Sequence, residues 1–171
     1  MRFSIKNLIK NGNITVVDPG LQVAASSGIK RSSKWAKTAK KYLKEHPACE
    51  ICGETEHVQV HHIFPFHYAI ALGRPDLEFD FRNLITLCQS QDGEKEQNHH
   101  LLIGHLNDFR SSNLNVRSDV EKYKNKTMNE IKEDKDWLIE QRNKLTPLDR
   151  MSDQEKQEFK DLMDKIFPIN E

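Results

Sequence analysis

Residues 49–65 read Cys49-Glu50-Ile51-Cys52-Gly53-Glu54-Thr55-Glu56-His57-Val58-Gln59-Val60-His61-His62-Ile63-Phe64-Pro65. Two thiols stand two residues apart, and two adjacent imidazoles follow a β-prone run. Thiolates at that spacing can wrap one ion in a tight knuckle, because Zn²⁺ takes tetrahedral sulfur and nitrogen ligands at about 2.3 and 2.0 Å. Gly53 suits such a turn. Cys-x-x-Cys is also a redox pair, but that reading wants a thioredoxin-like βαβ context, which this sequence does not show. Zinc is the better reading.

A zinc site needs four ligands. Cys88 is the obvious third, because it follows the strand-like Leu84-Ile85-Thr86-Leu87. No cysteine remains, so the fourth ligand is a histidine. His99 is the best candidate and His57 the second. Residues 89–98 then form a polar loop tied at both ends by the metal. Adjacent histidines on a strand point to opposite faces, although at a strand end they can converge. From the residues alone, His61 and His62 read better as one buried, hydrogen-bonded ring and one solvated ring. Asn83 stands just before the strand that carries Cys88, and Asn98-His99-His100 opens a short helix.

Working outward, strands are expected near 58–63 and 84–87. Ser32 or Ser33 can cap a helix running to about His46, with Trp35, Ala39, Tyr42 and Leu43 at helical spacing. Pro47 ends it. Residues 30–44 carry seven basic residues and no acid. Their mutual repulsion costs helix stability, and a polyanionic partner would relieve it. Asn11-Gly12 predicts a hairpin between 2–9 and 14–17, and 18–31 read as a linker. Beyond Val116 the pattern is helical. Val120, Tyr123, Ile131 and Leu138 give one loose stripe to about Leu145. Ser152-Asp153-Gln154-Glu155 is a capping box opening a last helix to about Phe167, with Phe159, Leu162, Met163 and Ile166 on its apolar face.

The whole chain has 171 residues, 36% apolar and 30% charged, with zero net charge. No apolar run reaches the roughly 18 residues of a membrane span, so no membrane partner is expected. The N-terminal residues carry no secretory pattern. Three cysteines make an odd number for a disulfide framework, so a reducing, cytoplasmic setting is expected. The zero charge hides an asymmetry: +9 over 1–44, −6 over 45–117 and −3 over 118–171. A basic first segment is the footprint of a polyanion-binding arm.

Taken in order, Cys-x-x-Cys, His-His-Ile, Asn-Leu-Ile-Thr-Leu-Cys and His-His resemble the HNH endonuclease family. The flank Trp35…Leu43-Lys44-Glu45-His46-Pro47 and the downstream Leu101-Leu102-Ile103-Gly104-His105-Leu106 look like those of small phage-type members. The resemblance covers about 32–117. It implies an α+β fold with a ββα-metal core and a structural zinc, flanked by the N-terminal hairpin and basic helix and by C-terminal helices. The domain reading is 1–31 hairpin and linker, 32–117 nuclease domain and 118–171 helical extension. Carried over position by position, His61 and His100 match the ligands of a catalytic Mg²⁺, Mn²⁺ or Ni²⁺, His62 the general base and Asn83 the motif asparagine. Cys49, Cys52 and Cys88 match the structural zinc ligands. The family usually has a cysteine where this chain has His99, so His99 and His100 can exchange roles.

The implied function is metal-dependent hydrolysis of phosphodiester bonds in DNA, by nicking or double-strand cleavage. The rival is a non-catalytic zinc-containing DNA-binding module. Lys34, Lys37, Lys40 and Lys41 are the expected DNA contacts. Arg74, Arg82, Arg110 and Arg117 are further candidates for phosphates. A homodimer or phage packaging partners complete the expected associations. His105 lies five residues after His100, about 140° around a regular helix. It reaches the site only if that helix is irregular, and otherwise reads as structural or as a phosphate contact. His46 and His67 read as structural.

Overall fold

The computed structural model describes residues 30–90, 97–144 and 148–169. The hairpin expected over 2–17, most of the linker, the middle of the 89–98 loop and the helix end near 145 lie outside the described residues.

A two-stranded antiparallel sheet stands at the centre. β1 (Val58–His62) pairs with β2 (Leu84–Cys88), with Val58 opposite Cys88, His61 opposite Ile85 and His62 opposite Leu84. Every residue of β2 is buried, as its mostly apolar run suggests, and the one polar member, Thr86, donates its hydroxyl to His46 O at 2.7 Å. Backbone bonds pin the pair at both ends, from Gln89 N–H to His57 O at 2.7 Å and from Ile63 N–H to Asn83 O at 2.9 Å.

The basic helix α1 (Trp35–Glu45) crosses the sheet and anchors through Tyr42, whose hydroxyl donates to Leu84 O at 2.8 Å. It starts later than expected. Lys34 occupies the N-cap without a side-chain bond. Ser32 Oγ instead accepts from Lys34 N–H at 3.2 Å, which forms a turn ahead of the helix.

The connection between the strands holds a short helix that the sequence reading missed, α2 (Phe66–Ala71), followed by 3₁₀ turns at Pro75–Glu78 and Phe81–Asn83. After β2, the chain forms a π-helical turn at His100–Gly104. The single stripe expected beyond Val116 is three helices: α3 (Val116–Lys122), α4 (Met128–Lys132) and α5 (Lys135–Arg142). Asn125, with φ of +61°, breaks the first. Thr127 and Glu130 then form a capping box, and Asp134 caps α5. These polar caps outcompete a continuous helix.

The last helix, α6 (Asp153–Ile166), opens on the expected Ser152–Glu155 capping box. Phe159 and Met163 are buried, but Leu162 and Ile166 are 38% and 49% exposed. The expected apolar face is therefore wider than the surface it meets. One apolar cluster runs through the knuckle, the sheet and the C-terminal helices, from Cys49 and Ile51 to Trp137, Met163 and Phe167. Arg74 fixes α6 to the interior through Asp164 at 2.6 Å and Phe167 O at 2.9 Å. Among the described residues no helix is long and apolar enough to cross a membrane.

Candidate metal centres

Two side-chain clusters form at the junction of the sheet and the π-helical turn. The first joins Cys49, Cys52, Cys88 and His99, whose ligand atoms all lie within 4.8 Å of one another. The knuckle is closed by Gly53, with φ of +77°, whose N–H donates to Cys49 O at 2.8 Å. Cys52 Sγ lies 3.8 Å from Cys88 Sγ, and His99 Nδ1 lies 3.8 Å from Cys49 Sγ and 3.1 Å from Cys88 Sγ. Sulfurs bound tetrahedrally to one zinc at 2.3 Å stand roughly 3.8 Å apart, whereas a disulfide would draw them to about 2.05 Å.

Hydrogen bonds from Cys52 and Cys88 hold the Cys49 thiol far below its usual range, and the same contacts push Cys88 up. Burial pulls the His99 imidazole down, but hydrogen bonds and charge from Cys49 and Cys52 outweigh it and raise it to about 9. Cys49 is thereby held as a thiolate, the form in which a cysteine binds a metal ion. These four residues can hold a metal ion such as zinc. His57, the alternative ligand, is exposed and lies outside the cluster.

The second cluster joins His61, His100 and His105, again with ligand atoms within 4.8 Å. Their ring centres stand 4.8–5.1 Å apart. His105 belongs here because the helix is irregular. In an i→i+5 turn, residues five apart return to the same side. The outer ring atoms are tied down. His105 Nδ1–H donates to Ser111 O at 2.6 Å, and His100 Nδ1–H to Gln89 Oε1 at 2.6 Å. A carbonyl only accepts, so both rings keep their Nε2 lone pairs, the tautomer that metal-binding histidines adopt. His61 Nε2 is buried with no hydrogen-bond partner among the described residues. Burial, then the neighbouring imidazoles, holds His61 and His100 well below the usual histidine range, so both are neutral donors. Three neutral imidazoles suit an ion that keeps open positions for water or substrate.

The last carbonyls of the π turn have no partner within the turn, and groups from downstream take them over. Trp137 Nε1–H donates to Leu102 O at 3.3 Å, Asn113 Nδ2–H to Ile103 O at 3.0 Å and Asn113 N–H to Gly104 O at 3.0 Å. Asn113, Ser111, Gln89 and Gly104 thus shape the cluster, and the sequence reading singled out none of them for a role in it. Only spatial neighbourhood identifies them.

His62 lies on the opposite side of β1 from His61. Its Nε2–H donates to Glu78 O at 3.0 Å, and its ring packs on Trp35 at 4.4 Å. Burial and the Arg31 charge push it down to about 3, far from the near-neutral value expected of an unperturbed ring. Asn83 is fully buried. It accepts from Phe64 N–H at 2.8 Å and donates to Phe64 O and Leu77 O at 3.0 Å, clamping the loop that leaves β1.

Lys37, Lys40 and Lys41 on α1 and Lys34 at its N-cap are all exposed. The candidate arginines are engaged elsewhere. Arg74 is buried on Asp76 and Asp164, Arg82 pairs with Asp80, Arg110 pairs with Asp108, and Arg117 donates to Arg82 O and Leu84 O. His46 stacks on Tyr42 at 4.4 Å. Compared with known proteins, the chain matches no family model, no curated protein and no solved structure.

Proposed function

We propose that the protein is a metal-dependent DNA endonuclease of the HNH type, with its ββα-metal core built from β1, β2 and the π-helical turn. The carrying observation is the cluster of His61, His100 and His105, with the outer ring nitrogens of His100 and His105 tethered and their inner lone pairs kept. A divalent ion there, Mg²⁺, Mn²⁺ or Ni²⁺, supplies charge neutralisation on the phosphate and on the leaving 3′ oxygen. An imidazole-only ligand set favours Ni²⁺ over the oxygen-seeking Mg²⁺.

The chain's own groups divide the remaining work. His62 commits Nε2–H to Glu78 O, which leaves Nδ1 as the atom able to take a proton from water. Asn83 braces the loop that carries His62 toward α2. The exposed lysines of α1 contact backbone phosphates and position the duplex. The Cys49, Cys52, Cys88 and His99 cluster holds zinc as a structural ion.

A second reading, a zinc-containing DNA-binding module without catalysis, is favoured by the low basicity of His62, whose imidazole is pushed to about 3. Incubating supercoiled plasmid with each of the three ions separates the two. Cleavage by the wild type that is lost in His62→Ala, with DNA binding and zinc retained, supports the endonuclease. Salt-dependent DNA binding without cleavage in any metal supports the module. Absence of both overturns both readings.

A further inference from the structure

Asn113 commits both hydrogens of its side-chain amide, one to Ile103 O at 3.0 Å and one to Asp119 Oδ2 at 2.6 Å. Its Oδ1 accepts from Asn115 N–H at 2.9 Å, so the amide cannot turn over without setting donor against donor. Asn115 Nδ2–H in turn donates to Glu140 Oε1 at 3.2 Å. The circuit closes between Glu140 of α5 and Asp119 of α3. Glu140 Oε2 is buried and meets no donor among the described residues, and Asp119 is 5% exposed. Carboxylate oxygens only accept, so the two acids hold together only while one of them carries a proton. Burial, then Asp119, pushes the Glu140 carboxyl up to about 7, so the proton resides there. The charged groups that bear on Glu140 among the described residues are Asp119 and Lys122, both of α3. Lys122 favours the ionised form, but it is already committed to Asp134 at 3.0 Å and Asp136 at 2.6 Å.

The segment that Asn113 belongs to also grips the histidine cluster. Asn113 N–H donates to Gly104 O at 3.0 Å, and Ser111 O accepts from His105 Nδ1–H at 2.6 Å. Gly104 packs against the His61 ring. A shift of Asn113 therefore disturbs the surroundings of two of the three imidazoles.

We propose that Glu140 is a positioning residue for the metal held by His61, His100 and His105, and that its proton is a latch: with it, α3 and α5 hold Asn113 against the π-helical turn, and without it the two carboxylates part and the turn loosens. The role toward the metal rests on reading the histidine cluster as a metal site, but the latch itself does not. Protonation of the imidazoles weakens metal binding as pH falls. The latch weakens it as pH rises. One pH unit above the Glu140 value, roughly one molecule in ten keeps the proton, so affinity falls by up to about tenfold.

The test uses the full, zinc-loaded chain as wild type, Glu140→Gln and Glu140→Ala. Affinity for Ni²⁺ is measured by calorimetric titration at pH 6 and pH 8. A glutamine amide offers a hydrogen to Asp119 as the protonated acid does, and it never ionises. Glu140→Gln should match wild type at pH 6 and bind up to about tenfold more tightly at pH 8. Glu140→Ala offers no hydrogen and should bind about tenfold more weakly than wild type at pH 6, the low end of the effect of removing a ligand's outer support. A ratio of wild-type to Glu140→Gln affinity that is the same at both pH values would overturn the proposal, as would wild-type affinity in Glu140→Ala at pH 6. If Glu140→Ala does not fold, the Gln ratio decides alone.

In parallel, the side-chain amide of Asn113 is followed by NMR without nickel. Its signals should move with a midpoint near pH 7 in the wild type and stay fixed in Glu140→Gln. If the wild type binds no Ni²⁺, the metal reading falls and these signals still decide. A midpoint near 7 that Glu140→Gln abolishes supports the latch, and its absence overturns it.

Discussion

The imidazole of His61 lies directly against Gly104, where a Cβ would come within 3.0 Å of Cε1 and 3.1 Å of Nδ1. The glycine is needed for clearance, since the ring occupies the space a side chain would fill. Gly104→Ala should push the ring or the turn aside by a few tenths of an ångström. Affinity of the histidine cluster for Ni²⁺ should fall by about 10–100-fold, the usual cost of misplacing a ligand's support, while the thiol-bound zinc stays. Calorimetric titration with Ni²⁺ checks this, and unchanged affinity would show slack in the turn.

Consecutive residues serve both clusters. Cys88 and His99 meet at 3.1 Å in one, and Gln89 and His100 meet at 2.6 Å in the other. Loss of the first contact should therefore loosen the second. Cys52→Ser should remove zinc, destabilise the fold, and abolish Ni²⁺ binding at the histidines. His100→Ala should leave zinc in place. Metal analysis of the two variants tests the asymmetry, and a Cys52→Ser protein that still bound Ni²⁺ tightly would refute it.

Replacing Lys34, Lys37, Lys40 and Lys41 by Gln should weaken DNA binding and flatten its salt dependence. Each lost phosphate contact removes about 0.9 from the slope of log K against log salt on duplex DNA. Fluorescence anisotropy across a salt series measures that slope. An unchanged slope would mean that α1 faces away from the duplex.

Glu140 lies beside Asp119, and burial, then the hydrogen bond and charge of Asp119, push its carboxyl from 4.5 to about 7. Below pH 4.5 both folded and unfolded chains hold this proton, so the group is neutral to stability there. As pH rises from there to about 7, the folded chain keeps a proton that the unfolded chain releases, and stability falls until the window closes. Glu140→Gln should therefore melt higher than wild type at pH 8 and close to it at pH 4. Thermal melts at the two pH values decide the matter.

The two strands were legible because β-branched residues alternate on one and run apolar on the other. The thiol cluster was legible because two-residue spacing and a shortage of cysteines leave few ligand sets. His105 was not, since a 3.6-residue period turns it away from His100 and only the π turn brings it back. Nothing local announces that turn, because Asn113 and Trp137, which take its carbonyls, come from 10 and 35 residues beyond their acceptors. The breaks at Thr127 and Asp134 were written in plain cap residues and were obscured by an apolar stripe that spans them. His62 matches the general-base position in sequence, but nothing local announces that Trp35, Phe66 and Arg31 would gather around it. Leu162 and Ile166 fit the helical period, but periodicity does not say how broad a neighbour a helix will find.

β1 sends His61 to one side and His62 to the other, and its register against β2 is pinned at both ends by backbone bonds. Side chains on a strand alternate, so a shift of one position would exchange the surroundings of the two imidazoles. The strand is thus constrained in length far more than in composition. Conservative replacements at Val58, Gln59 or Val60 leave the count intact. A single-residue insertion or deletion there would turn His62 toward the three-imidazole cluster and His61 toward Trp35, disabling both positions through a change that alters neither residue.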